Sequence, residues 1–180
     1  MPDEFEQRAT ERVAELGDGV EGGSSGEIDL ESFAASFDLF RLATRTIGDF
    51  DTEVHRPLGL SMAGFRVLFT VWVFGSLEVR DIARLSGVSR AAVSGVVTTL
   101  EREQLALRQR DQADGRLASV RVTDAGVEKL RLAYGGQHRR ERQLFGVLDE
   151  AELHAFTATL RKLLRVRLDD DATQPDSKDR

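Results

Sequence analysis

Apolar residues recur along this chain with two different periods, and the switches between them divide it into elements. Phe33, Phe37, Phe40, Thr44, Ile47 and Val54 keep the spacing of one helical face. They predict an amphipathic helix over Glu31–His55, which Pro57 stops because its ring cannot continue the hydrogen-bond ladder. Ser61 is placed to N-cap a second helix, Met62 to Gly75. That helix is apolar almost all round (Phe65, Val67, Leu68, Phe69, Val71, Trp72, Val73, Phe74), so it is expected to be buried. Leu77–Val79 is then left for a short strand. Ile82 and Leu85 point a short third helix inward, Val88 closes a turn, and Val93, Val96, Val97 and Leu100 continue the apolar stripe. The period then falls to two, with Val120 and Val122 alternating around Arg121. Two strands, Leu105–Arg110 and Leu117–Thr123, flank Asp111-Gln112-Ala113-Asp114-Gly115-Arg116, where Asp-Gly is a strong turn signal. Thr123 N-caps a long helix from Asp124 to about Phe145, which Gly135-Gly136 should weaken or bend. A last helix, Asp149 to about Leu168, carries Leu153, Phe156, Leu160, Leu163 and Leu164 on one face.

The middle of this series has the parts of a helix-turn-helix. Two short helices crossing steeply need a small residue in the first, positive φ at the turn and an aliphatic anchor in the second. Ala83, Gly87 and Val93 supply these, and Ser89 is a good N-cap for the second helix. Its outer face then offers Arg90, Ala91, Ser94, Gly95 and Thr98, short or cationic side chains suited to a major groove. Taken alone, the pattern also fits an ordinary helical hairpin. The following hairpin, with Arg108, Arg110, Arg116 and Arg121, is a basic wing whose tip can reach phosphates or the minor groove. The fold class expected is mainly α with a small β wing: a winged helix-turn-helix domain plus a helical dimerisation region from both termini.

Asp81 to Leu105, the wing signature Asp114-Gly115-Arg116, and Val120-Arg121-Val122-Thr123-Asp124-Ala125-Gly126 leading into a helix together resemble the MarR family of bacterial regulators. The resemblance spans about residues 32 to 168. In that family the Asp and Arg of the wing pair with each other and the Arg contacts DNA, which the resemblance carries over to Asp114 and Arg116. The blander role for Asp114 is to cap the turn, and both can hold together. The resemblance also implies a two-fold dimer. The domain division expected is an acidic extension with a Gly/Ser linker over 1–31, the MarR-like domain over 32–168, and an acidic tail over 169–180. Within the domain, the winged helix takes about 61–123 and the dimerisation helices about 32–56 and 124–168.

A net charge of −6 looks wrong for a DNA binder until its distribution is examined. Residues 1–31 hold ten acids against two arginines, and residues 169–180 hold five acids against two bases. The stretch 32–168 is therefore net +5, and affinity for DNA should fall with salt. In the extension, Phe5, Ala9, Val13 and Leu16 fit one helical stripe before the Gly17–Gly26 linker. Its composition favours a disordered acidic tail; the sharper readings are a short helix docked on the body or an acidic arm competing with DNA. The segment MPDEFEQRATER lacks a signal-peptide core and no run approaches membrane-spanning length, so a cytoplasmic protein with no membrane partner is expected. With no Cys, there is no disulfide frame or thiol switch, which sets aside the peroxide-sensing branch of the family.

No catalytic constellation is found, so no enzyme is expected. His138 and Glu141 share a helix face, but three or four convergent ligands are needed for a metal, and none is assigned. No cofactor is expected. Proteins resembling this one often bind small aromatic acids between their DNA-binding and dimerisation regions. The matching positions are His55, Met62, Phe65, Arg66, Phe69 and Trp72, where an apolar pocket with one cation would suit an aromatic or phenolic effector. The competing reading makes the aromatics core and Arg66 a surface or dimer-bridging group. The function expected is a dimeric repressor on a palindromic double-stranded operator, released by a small-molecule effector. Arg90, Ala91, Ser94 and Thr98 would read bases, and Ser89, Arg110, Asp114 and Arg116 would complete the DNA-binding set. The alternatives are an activator, or a winged helix used for protein–protein contact.

Overall fold

A computed structural model describes residues 4–18, 28–110 and 118–166. Helix α1 spans Glu4–Asp18 and α2 spans Leu30–Phe50, with Asp29 capping α2 through its side chain. After α2 the backbone loosens into a π turn, Asp51–His55, then tightens into a 3₁₀ turn, Arg56–Leu58, closed by Gly59 in the left-handed region. Helix α3, Met62–Phe74, leaves that corner at 79° to the preceding helical run. Then come strand β1 (Leu77–Glu78), helices α4 (Val79–Ser86) and α5 (Arg90–Arg102), strands β2 (Ala106–Arg110) and β3 (Ala118–Val122), and helices α6 (Asp124–Phe145) and α7 (Glu150–Leu163). The sheet is antiparallel in the order β1-β3-β2, with Leu77 opposite Val120 and Arg108 opposite Val120 from the other side. The chain divides into two compact units, one ending at Gly136 and the other beginning at Gln137.

The first unit is built round α3. Phe65, Val67, Leu68 and Val71 pack with Ile82 of α4, Val93, Val97 and Leu100 of α5, Val120 of β3, and Leu130 and Ala133 of α6. Burial at this level drives the assembly, at about 1.5–3 kcal/mol for each large apolar side chain. The expectation that α3 is buried all round fails in its last turn, where Trp72, Val73 and Phe74 are about half exposed. Burial along the helix ends at Val71. Leu85 is likewise 39% exposed rather than inward. On an eight-residue helix the position above Ile82 is Ser86, which is buried and accepts the Val88 N–H on its hydroxyl.

The corner between α2 and α3 is tied by Asp51. Its carboxylate accepts the Met62 N–H and the Arg56 Nε, each at 2.7 Å. The hydrogen bond from Arg56, then that from Met62, hold the Asp51 carboxyl below its ordinary value against the opposing effect of burial. Helix α6 runs unbroken through Gly135-Gly136, against the expectation of a weak point. Gly136 is buried, and a Cβ there would stand 2.7 Å from Val54 Cγ1. The missing side chain therefore serves a close helix approach rather than a bend.

Residues 4–18 of the N-terminal segment form a helix rather than the disordered tail that its composition favours. Helix α1 packs on α2 through Phe5 and Phe37, whose ring centroids are 5.4 Å apart, with the Arg41 guanidinium over both rings. The linker residues 19–27 and the tail from 167 lie outside the described residues. In the second unit, α7 is opened by a reciprocal capping box between Asp149 and Glu152. The Phe145 and Phe156 rings meet at a tilt with centroids 6.2 Å apart, yet α7 buries none of its residues. Among the described residues no single helix is long and apolar enough to cross a membrane.

Candidate nucleic-acid interface

The turn between α4 and α5 takes the form that its sequence requires. Gly87 adopts φ 66°, and its N–H returns to the Ala83 carbonyl. Ser89 caps α5, its hydroxyl accepting the Ala92 N–H at 3.3 Å. Val93 and Val97 are wholly buried and Leu100 is nearly so, which fixes the rotation of α5 about its axis. Arg90, Ala91, Ser94 and Thr98 are consequently all exposed on the opposite side, together with Ser89 at its start. The Ser94 and Thr98 hydroxyls donate to the carbonyls four residues back, at 3.3 and 3.0 Å. Each hydroxyl keeps its lone pairs outward as acceptors. The N-terminal turn of α5 adds its partial positive charge to Arg90.

Beside this helix stands the wing. β2 and β3 are in register from Ala106–Val122 to Arg110–Ala118. Arg121 is exposed between the buried Val120 and the half-buried Val122. Arg110 ends β2, and the tip with Asp114 and Arg116 lies outside the described residues. Three neutral hydrogen bonds brace the wing's base. Thr123 Oγ1 donates to the Gln104 carbonyl and accepts the Gly126 N–H, and Thr123 N–H donates to the Leu105 carbonyl. The arrangement sets the exposed face of α5 next to a hairpin that carries the exposed Arg121.

The predicted effector residues separate into two groups. His55, wholly buried, stacks on Phe65 at 4.3 Å; Phe65 stacks on Phe69 at 5.9 Å, and Phe69 meets Trp72 at 5.9 Å. Tyr134 of α6 extends this ladder, its ring 6.3 Å from Phe69. The sequence reading did not include Tyr134, because no local pattern in α6 marks the position as facing α3. Met62 is half-buried at the start of α3. Arg66 is exposed and its guanidinium lies against Gly87, where a Cβ would meet Nη2 at 2.7 Å. The cation thus leans on the helix-turn-helix turn. A cavity of about 270 Å³ opens between Gly59–Ser61 and the side of α5 formed by Ala92, Gly95, Val96 and Thr99, and none of the six predicted effector residues lines it. His138 Nδ1 lies 3.5 Å from Glu141 Oε2, and no group of three or more metal-ligating side chains occurs among the described residues.

Residues 60–117 match the model of the MarR family. The chain is 35% identical over 136 residues to the HTH-type transcriptional regulator YwaE of Bacillus subtilis (strain 168), covering 76% of this chain and 80% of that protein. Among solved structures it resembles BpsR of Bordetella bronchiseptica, whose DNA binding is regulated by 6-hydroxynicotinic acid. That likeness has a TM-score of 0.66 and 25% identity, over 72% of this chain and 98% of that one. A MarR-family transcriptional regulator from Silicibacter pomeroyi shares the fold with a TM-score of 0.65 at 24% identity, over 76% of this chain and 92% of that one.

Proposed function

The chain belongs to the MarR family of HTH-type transcriptional regulators, and on that premise we propose that it is a homodimeric repressor of a palindromic operator, released by a small aromatic effector. Arg90, Ala91, Ser94 and Thr98 read base edges in the major groove, where Arg pairs with guanine and the Ala or Thr methyl touches thymine. Ser89, Arg110 and Arg116 hold the backbone or the minor groove, and Asp114 orients Arg116. The observation that carries this reading is the polarity of α5, which buries Val93, Val97 and Leu100 while leaving all four proposed readers in solvent.

Apolar surface left exposed among the described residues supports pairing. On α2, Phe40 is 70% exposed beside Ile47, and in the second unit Leu163 and Leu164 are exposed. A two-fold dimer covers such faces and spaces its recognition helices by one turn of DNA. The aromatic ladder of Phe69, Trp72 and Tyr134, half-open at its outer end, suits a flat aromatic ring, the kind of ligand described for BpsR. Such a ligand releases the operator by favouring a dimer geometry with altered helix spacing.

Selection of genomic fragments by the purified protein tests the reading. Enrichment of a palindrome with half-sites one helical turn apart is expected; recovery no better than for sheared background sinks it. The effector part stands on Trp72, whose fluorescence should be quenched by members of a phenolic-acid panel that also weaken DNA binding. Unchanged emission and unchanged affinity across the panel remove it.

A further inference from the structure

The corner between the recognition helix and the wing is braced beyond what a helix-to-strand turn requires. Gln104 leaves α5 with φ 59°, and Thr123 ties the two carbonyls that follow the helix. Helix α6 approaches so closely that a Cβ at Gly126 would stand 2.1 Å from the Leu105 carbonyl oxygen. These neutral contacts already fix the base of the wing. A charged link is added on top of them. Glu101, in the last turn of α5, accepts the Arg108 backbone N–H on Oε1 at 3.0 Å and the Arg108 Nη1 on Oε2 at 2.7 Å. Arg108 lies in the middle of β2, which is an edge strand because the sheet order is β1-β3-β2. One carboxylate therefore occupies both a free edge donor and a guanidinium of the same wing residue.

Stability is a poor explanation for the link. The two side chains are 36% and 28% exposed, and pairs this open contribute little to folding. Charge is a better one. An arginine on the wing strand beside the recognition helix is placed to add a phosphate contact, and every such contact strengthens binding to any sequence alike. Paired through both oxygens, Arg108 supplies orientation without that indiscriminate attraction. Resting on the DNA-binding role proposed above, we infer that Glu101 is a specificity-determining residue: it withholds Arg108 from the DNA backbone and holds the wing at a set angle to the recognition helix, lowering affinity for unrelated sequence.

The test compares the full-length wild type with Glu101→Gln, Glu101→Asp and the double variant Glu101→Gln/Arg108→Met. Each is titrated over a salt series with a selected fragment and with a scrambled duplex, and each is melted thermally. Glu101→Gln should bind the scrambled duplex more tightly. Its plot of log affinity against log salt should steepen by about 0.9 for each Arg108 that gains a phosphate. Its preference for the selected fragment should fall about tenfold, the weight of one mismatched base pair. Glu101→Asp should retain most of the preference, and removing Arg108 in the Gln background should return the slope to the wild-type value. A mere brace would lower the melting temperature and both affinities with the slope unchanged, and that result overturns the proposal. A wild type that binds no duplex even at low salt overturns the DNA-binding reading and this role with it; a wild type that binds, with an unaltered slope in Glu101→Gln, overturns only the role of Glu101.

Discussion

Gly87 and Ser89 stand two positions apart and shape the helix-turn-helix by different means. Gly87 holds φ 66° under the Arg66 guanidinium, a conformation that costs a side-chain-bearing residue about 1–2 kcal/mol. Gly87→Ala should lose that much stability in urea unfolding, and a change smaller than measurement error would show that the turn relaxes freely. Gly126 is more constrained, because the atom a methyl would strike is backbone. Gly126→Ala should cost about 3 kcal/mol by overpacking, with a matching fall in the urea midpoint. Asp51 offers a pH-dependent case. Its folded pKa is depressed, so its contribution is present above the ordinary value of 3.8 and is lost as pH falls through the lowered folded value. Asp51→Asn should therefore be less stable than the wild type by about 1 kcal/mol near neutrality. The gap should close as both are unfolded at successively lower pH below 3.8; a gap that persists undiminished would mean the charge is irrelevant.

At the scale of elements, the sequence was legible wherever pattern and punctuation agreed. Ser61 and Ser89 cap the helices they were expected to cap, Asp149 caps the helix that was expected to begin on it, and Gly75 ends α3 with φ 84°. It was less legible where a helix is apolar for longer than its neighbours can cover, as at Trp72–Phe74. Periodicity reports which residues tolerate burial, not how far the covering layer extends. Helix α1 shows the reverse error. Its charge pattern resembles a solvated tail, and its docking rests on Phe5 meeting Phe37 and Arg41, contacts separated by more than thirty residues of sequence. Phe5→Ala should release it. Hydrogen exchange is then expected to lose protection over residues 4–18 while α3 stays protected; retained protection in α1 would place its anchor elsewhere.

For the whole molecule, the acidic total conceals a body that is net +5 over residues 32–168. DNA affinity should accordingly fall steeply and linearly in log–log terms with salt, despite a sequence pI near 5.2. Light scattering at micromolar concentration should give twice the 20.0 kDa chain mass, and a monomer there would remove the paired-helix geometry. Arg116→Ala should weaken operator binding strongly with no change in melting temperature; equal affinity would defeat the role of the wing tip.

The amino-acid sequence by itself determined the order of the elements, the helix-turn-helix and the hairpin, because capping, turn chemistry and hydrophobic period act over a few neighbouring residues. Tertiary structure decided what depends on distant atoms meeting. It stacked Tyr134 onto the ladder from His55 to Trp72 and turned Arg66 toward Gly87. It made Gly136 a contact with Val54 rather than a hinge, and it engaged Arg108 with Glu101. Each of these is a matter of side-chain direction after packing, and no local preference in the chain specifies it.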